Sequence, residues 1–179
     1  MSAVLGFLYD TFFTSLKYDP TPGLLTGRTV IVTGSNVGLG FETAVHLGKL
    51  DPELLIIACR NLDKANVARD KVIARTGLAQ DRVEVWALDL ADFASVQAFA
   101  KRVNDDLDRL DVLCQNAGIA TGKFGKTENG FEATIQVNGL ATGLLALLTL
   151  PLVAHTATLP LEAGQKPFKP HSTIVGSEV

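Results

Sequence analysis

Cysteine, tyrosine, tryptophan and methionine are all scarce in this chain of 179 residues, which contains 2, 2, 1 and 1 of them. Two cysteines cannot form a disulfide framework, and Cys59 and Cys114 both end apolar runs, so we expect buried free thiols and a reducing compartment. No uninterrupted apolar stretch of about 18 residues occurs, so the sequence predicts no membrane-spanning helix.

The chain also lacks a large excess of charge of either sign. The formal net charge is −3, which gives no electrostatic basis for binding nucleic acid. The three histidines stand in no metal-ligand spacing, so no metal site is predicted. Hydrophobic residues make up 47% and charged residues 20% of the chain, a balance typical of a folded globular protein and not of a disordered one.

The first 25 residues form a separate segment. Five apolar side chains share one face of a helical wheel, and the Pro-rich stretch 19–23 follows as a linker. This helix either packs on its own domain or binds a membrane surface or a partner, and a frayed terminus is a third alternative. Since no basic leader or cleavage site is present, we expect a cytoplasmic protein, with residues 3–16 as the candidate for weak membrane-surface contact.

From residue 26 to residue 179, apolar runs alternate with segments of helical spacing. The runs predict strands at 29–33, 53–59, 82–88, 110–114 and 172–176, and the helices are predicted at 37–50, 62–75, 92–107 and 130–153. Asp92 is expected to cap the third helix and Gly77 to end the second. Such alternation indicates one α/β domain with a doubly wound parallel sheet of Rossmann type, whose strands are buried on both faces.

A glycine-rich turn follows the first predicted strand and opens the first predicted helix. Its sequence is Thr33-Gly34-Ser35-Asn36-Val37-Gly38-Leu39-Gly40. Glycines in this context allow a sharp turn, a close approach of the backbone to a pyrophosphate, and close packing of the helix on the sheet. The helix N-terminus adds free N–H groups and partial positive charge. The alternative is a glycine turn that binds no ligand.

The turn resembles the cofactor motif Thr-Gly-x-x-x-Gly-x-Gly of the short-chain dehydrogenase/reductase family, and the resemblance runs from about residue 26 to the last residue. Further stretches fit that family in the same order: Cys59-Arg60-Asn61, Asp89-Leu90, Gln115-Asn116-Ala117-Gly118 and Val137-Asn138. The amino-acid sequences of these stretches are similar to those of retinol-dehydrogenase-like enzymes and of fungal tailoring reductases of secondary metabolism. The resemblance implies the strand order 3-2-1-4-5. It also implies the cofactor-binding residues Gly34, Ser35, Asn36, Gly38, Leu39, Gly40, Arg60, Asp89, Leu90, Asn116, Ala117 and Gly118.

The end of the second strand indicates which dinucleotide is bound. An acidic residue there would hydrogen-bond the ribose 2′-OH of NAD and repel a 2′-phosphate. Neutral Cys59 holds that place and Arg60 follows it, and a guanidinium can bind a phosphate through two hydrogen bonds. The sequence therefore favours NADP over NAD. The alternative for Arg60 is a solvated surface residue paired with Asp63.

The resemblance implies hydride transfer between nicotinamide and an alcohol or carbonyl of a small apolar molecule. It gives Asn138 the role of holding a water in the proton relay and Ser177 that of orienting the substrate oxygen. Plainer alternatives are a helix side chain facing a neighbouring backbone for Asn138 and a polar strand end for Ser177. The family's Tyr-x-x-x-Lys is absent, because Tyr9 and Tyr18 are followed four residues later by Phe13 and Pro22.

The absence of this motif therefore predicts a truncated family member whose sheet is incomplete at its C-terminal side. Such a chain is expected to be inactive as an oxidoreductase. The expected edge strand at 172–176 would then expose unpaired backbone groups. The alternative function is a non-catalytic dinucleotide-binding or interaction protein.

Overall fold

The computed structural model describes residues 21–176. The predicted N-terminal helix and the candidate Ser177 lie outside the described residues. Five strands alternate with helices in the order β1 (Thr29–Thr33), α1 (Gly38–Gly48), β2 (Leu54–Cys59), α2 (Leu62–Thr76), β3 (Val83–Ala87), α3 (Phe93–Asp106), β4 (Val112–Gln115), α4 (Ala133–Thr156) and β5 (His171–Ile174). A short 3-10 turn, Gln80–Arg82, precedes β3.

The strands form one parallel sheet in the order β3-β2-β1-β4-β5. The predicted Rossmann-type fold and strand order are thereby confirmed. The chain passes outward from β1 through β2 to β3, then returns to the other side of β1 as β4. The strand order thus reverses between β1 and β4, and ligands of open α/β sheets bind at such a point, beyond the carboxyl ends of the strands.

Apolar side chains bury the sheet on both faces. One core cluster, which includes Ile31, Leu113 and Leu145, lies under α3 and α4. The other, which includes Val30, Ile57 and Val72, lies under α1 and α2. Cys59 and Cys114 are buried free thiols, as the apolar runs predicted.

Two helix ends follow the predicted chemistry, the cap at Asp92 and the stop at Gly77. The Asp92 carboxylate accepts from the backbone N–H of Ala94 at 2.9 Å and caps α3. Asn61 caps α2 in the same way, through Lys64 N–H at 2.9 Å. Gly77 ends α2 with φ of 78°, in the left-handed region that glycine enters most easily. Helix α1 differs, because its N-cap residue Val37 has no side-chain hydrogen bond to offer.

Helix α4 departs from the prediction in its start and its geometry. It begins at Ala133 and not at Gly130, because Gly130 has φ of 87° in a hairpin that precedes the helix. Close to its start, Gln136–Ala141 form a π-helical segment, which adds one residue to a turn. By length and mean hydropathy of 1.8, α4 could cross a membrane. Its inner side chains Leu145, Leu152 and Val153 nevertheless lie in the core over the sheet.

Strand β5 is the expected edge strand, and it lacks the burial on both faces that was predicted for the strands in general. All its residues are exposed, whereas every residue of β1 and β4 is buried. The reason is its position: β5 is the sheet edge beside β4. Strand β3, at the opposite edge, is partly exposed.

Candidate functional site

A cleft of about 670 Å³ opens at the carboxyl ends of β1 to β4, where the strand order reverses. This volume is in the usual range for small-molecule and cofactor sites. The residues that line it come from six segments: Gly34, Asn36, Val37, Ala58, Cys59, Arg60, Asn61, Lys64, Leu88, Asp89, Leu90, Ala91, Asn116, Ala117, Gly118, Ile119, Lys126, Thr127, Ala133 and Val137.

Hydrogen bonds join the glycine-rich turn to the loop after β4. The Asn116 side-chain amide lies 3.3 Å from the carbonyl oxygens of both Thr33 and Gly34, and the Thr33 hydroxyl accepts from Ala117 N–H at 3.0 Å. Gly34 has φ of 66°, and a β-carbon there would lie 2.7 Å from Ala117 Cα. A β-carbon at Gly40 would overlap the Asn116 amide. Only glycine therefore allows these two segments to approach so closely.

Gly38 has a different environment at the start of α1. Its φ is 60°, yet no atom lies within 4 Å of the position a β-carbon would occupy. Because Val37 supplies no side-chain cap, the first N–H groups of α1 have no side-chain acceptor and point outward with the helix dipole. Open space beside uncapped N–H groups is the arrangement that a phosphate fits.

The end of β2 carries cations and no carboxylate. Cys59 is 3% exposed, its thiol lies 3.7 Å from the Asn36 side-chain oxygen, and burial raises the pKa of that thiol, so it is uncharged at neutral pH. Arg60 and Lys64 line the cleft one turn apart. Among residues 21–176 no ion pair joins Arg60 to Asp63. Two positive charges therefore face the cleft where NAD-binding sites carry an acid.

The end of β3 is shaped by Asp89. Its carboxylate accepts from Ala91 N–H at 2.9 Å, and its own N–H donates to the Ser95 hydroxyl at 2.9 Å. The turn this creates presents Leu90 to the cleft, although Leu90 is only 7% exposed. An apolar side chain beside a carboxylate can pack against an aromatic ring and accept a hydrogen bond from its polar edge.

Asn138 in the π segment holds the loop after β4. Its side-chain oxygen accepts from Ile119 N–H at 2.9 Å, and its side-chain nitrogen donates to Ile119 C=O at 2.8 Å. The side chain therefore faces a neighbouring backbone, which was the plainer of the two interpretations. One amide hydrogen and one lone pair stay available to a water, so the geometry also fits the proton-relay interpretation.

The predicted site residues fall into two groups. Arg60 and Asp89 line the cleft together with Gly34, Asn36, Leu90, Asn116, Ala117 and Gly118. Ser35 instead points inward, where its hydroxyl donates to Val32 C=O at 2.8 Å. Gly38, Leu39 and Gly40 form the first turn of α1, and Asn138 stands behind Gly118 and Ile119.

Sequence reasoning missed Lys64, Lys126 and Thr127. Lys64 had a usable signal, since it is a cation in the first turn of the helix predicted directly after Arg60. Lys126 and Thr127 had none, because they reach the cleft through a hairpin that no periodic pattern marks.

Known proteins are similar to this chain in sequence and in fold. The family model for short chain dehydrogenases matches residues 28–157. "Short chain dehydrogenase/reductase dmxR8" of Cryptosporiopsis sp. (strain 8999) is 45% identical over 98% of this chain and 51% of its own length. "Short chain dehydrogenase opdN" of Penicillium oxalicum is 43% identical over 95% of this chain and 55% of its own. The chain thus spans about half the length of the curated relatives it matches.

Solved structures share the fold. A putative short chain dehydrogenase from Escherichia coli CFT073, complexed with NADPH, superimposes with a TM-score of 0.62 at 28% identity, covering 75% of this chain and 56% of its own. The oxidoreductase yciK from E. coli has a TM-score of 0.64 at 28% identity, covering 77% and 57%.

Proposed function

The chain belongs to the short-chain dehydrogenase family, and on that premise we propose that it binds NADP in the cleft as the cofactor-binding part of an oxidoreductase. The observation that carries the choice of NADP is the pair of cations, Arg60 and Lys64, beside a neutral Cys59. A carboxylate at Cys59 would repel a 2′-phosphate, whereas these side chains attract one. NADPH and NADP in two of the structural neighbours support the choice.

The remaining groups of the cofactor are assigned to the segments around the cleft. The pyrophosphate fits the turn Gly34–Gly40, where Gly38 leaves open space and the N–H groups of α1 are uncapped. The adenine fits between Leu90 and the end of β2. The nicotinamide ribose fits beside Asn116, Ala117 and Gly118, which the hydrogen bonds to Thr33 and Gly34 hold in place.

When bound, NADP would supply the hydride acceptor, and NADPH the donor, for the interconversion of an alcohol and a carbonyl. This chain's residues bind and orient the cofactor, and Asn138 fixes the loop against which the nicotinamide end lies. The proposed substrate is a small apolar molecule. An alternative, which shares the whole cleft, is a protein that binds the dinucleotide without catalysing its reaction.

Titration of the purified 179-residue protein with NADPH and NADH tests this proposal. We expect tighter binding of NADPH. Arg60→Ala and Lys64→Ala should each weaken NADPH by about tenfold or more, because a charged hydrogen bond contributes roughly 1.5–3 kcal/mol, and should leave NADH unchanged. Lys71→Ala is the matched control, since it removes the same charge from α2 at an exposed position away from the cleft.

Two results would contradict the proposal in different ways. Equal affinity for NADPH and NADH, unchanged in Arg60→Ala, would remove the preference for NADP. Absence of binding of either dinucleotide by the folded protein would remove the cofactor site itself.

A further inference from the structure

Gln136 is the first residue of the π segment, and its side chain is completely buried. Its amide nitrogen donates to the Asn129 side-chain oxygen at 3.0 Å and to Leu90 C=O at 3.5 Å. Its amide oxygen accepts from the Thr127 hydroxyl. Both donor hydrogens of the carboxamide are therefore used, and the side chain contacts two segments that are far apart in the sequence.

The segment that Gln136 holds from one side is a short hairpin, residues 126–132. Lys126 and Glu132 pair as an antiparallel bridge, and Thr127 N–H donates to Phe131 C=O at 2.9 Å. Lys126 and Thr127 line the cleft, whereas Gln136 and Asn129 do not. The hairpin is thus a wall of the cleft that residues outside the cleft hold in place.

On the other side, Gln136 contacts the end of β3. Leu90, whose carbonyl accepts from Gln136, lines the cleft as the hairpin wall does. Asn129 extends the connection, because its side-chain oxygen also accepts from Phe93 N–H at 3.0 Å, at the first residue of α3. Phe93 and Phe131 pack edge to face with their ring centroids 5.8 Å apart.

We propose that Gln136 is a positioning residue that sets the distance between the hairpin 126–132 and Leu90, and so shapes the end of the cleft that takes the adenosine half of the cofactor. The inference rests on the proposed function, since it concerns the same cleft. Gln136 touches no ligand in this arrangement and acts through Thr127 and Leu90. The nicotinamide end, built on Asn116 to Ile119, is held by a different side chain, Asn138.

The test uses the two halves of the cofactor as separate probes: 2′,5′-ADP for the adenosine end and reduced nicotinamide mononucleotide for the other end. Gln136→Glu keeps the size of the side chain and removes both donors, which places a carboxylate oxygen against Leu90 C=O and the Asn129 side-chain oxygen. Gln97→Glu is the matched control, because it makes the same charge change at an exposed position of α3. Affinities are measured where unfolding curves show each variant folded.

We expect Gln136→Glu to weaken NADPH and 2′,5′-ADP by about tenfold, the loss expected when a buried polar pair is broken, and to leave the nicotinamide half unchanged. Asn129→Ala removes one partner at an exposed position and should give a smaller, equally selective loss, which keeps the test valid if Gln136→Glu fails to fold.

If Gln136 had a purely structural role, Gln136→Glu would lower the affinity for both probes alike. Equal losses of affinity would therefore overturn the proposal. It would also be overturned by unchanged affinities in both variants while the wild-type protein binds NADPH. Failure of the wild-type protein to bind any probe would instead overturn the proposed function, and this inference with it.

Discussion

The Asn138 side chain binds both backbone polar groups of Ile119, accepting from its N–H at 2.9 Å and donating to its C=O at 2.8 Å. The side-chain amide thus satisfies both backbone hydrogen-bonding groups of one residue in the loop after β4, as the backbone of a paired β-strand would. The π segment is what presents Asn138 to that loop, while its neighbours Gln136 and Val137 remain buried. The loop in turn carries Gly118, which lines the cleft.

Asn138→Asp should loosen that loop. The carboxylate cannot donate to Ile119 C=O, and the exposed position limits the loss of stability to about 1 kcal/mol. We expect NADPH to bind several-fold more weakly, since Gly118 and Ile119 are no longer fixed. Asn66→Asp, which changes the charge equally and breaks an exposed hydrogen bond to Leu62 C=O of 2.9 Å, should leave NADPH binding unchanged. Isothermal titration of both variants provides the comparison, and equal affinities would contradict the role given to Asn138.

Gly38→Ala should separate cofactor binding from stability. A non-glycine residue with φ of 60° costs about 1–2 kcal/mol, and no atom within 4 Å would clash with the new methyl group. The methyl group would instead fill the space assigned to the pyrophosphate, so NADPH affinity should fall by at least about tenfold.

Gly77→Ala is the control for Gly38→Ala. Gly77 has φ of 78°, also with no atom within 4 Å of the added carbon, and it ends α2 away from the cleft. Urea unfolding should show similar losses of stability for both variants, and NADPH titration should show a loss for Gly38→Ala alone. Normal binding by Gly38→Ala would place the pyrophosphate elsewhere.

Local signals explain which parts were predictable. The glycine turn, the cap Asp92, the stop at Gly77 and the ends of β1 and α2 depend on neighbouring residues, and the sequence predicted them to within one or two positions. The π segment and the hairpin before it depend on contacts between distant residues, such as Gln136 with Leu90. No spacing of apolar residues encodes such contacts. The edge position of β5 was expected from the sequence, and the exposure of its residues follows from that position.

Asp111→Asn should destabilise the protein without altering the cleft. Asp111 is 1% exposed, accepts from Thr29 N–H at 3.0 Å and from Arg109 at 2.8 Å, and lies 3.6 Å from the buried Arg28 guanidinium. Removing one charge from a buried pair typically costs 3–5 kcal/mol, so we expect a drop of about that size in the free energy of unfolding.

The control for Asp111→Asn is Asp105→Asn, which removes an exposed pair with Lys101. It should change the free energy of unfolding by less than about 1 kcal/mol. Equal effects of the two substitutions would show that burial does not strengthen the Asp111 contacts.

The two thiols should differ in their response to cofactor. Burial raises the pKa of both Cys59 and Cys114, so alkylation of the native protein near neutral pH should be slow. Only Cys59 lines the cleft, so NADPH should slow its modification further and leave Cys114 unaffected, as peptide mass spectrometry can measure. Thiols of the unfolded chain lose their protons near pH 8.5, whereas those of the folded protein lose theirs only at a higher pH. The free energy of unfolding should therefore also fall as the pH rises above about 8.5. Equal protection of both thiols would contradict the assigned cleft.

We expect a polypeptide of these 179 residues not to catalyse hydride transfer between the cofactor and an alcohol or carbonyl. Its two tyrosines, Tyr9 and Tyr18, both precede the glycine turn, and neither has a lysine four residues later. A placed acid or base contributes roughly 10²–10⁴-fold to such a reaction, and Asn138 cannot take that role, because a carboxamide does not ionise near neutral pH. NADPH binding should nevertheless survive, since the cleft that would hold it lies among the described residues. The measurement is the nicotinamide absorbance with a panel of ketones and secondary alcohols, in a preparation shown to bind NADPH. Robust oxidation or reduction there would mean that another group of this chain, or a partner chain, supplies the proton.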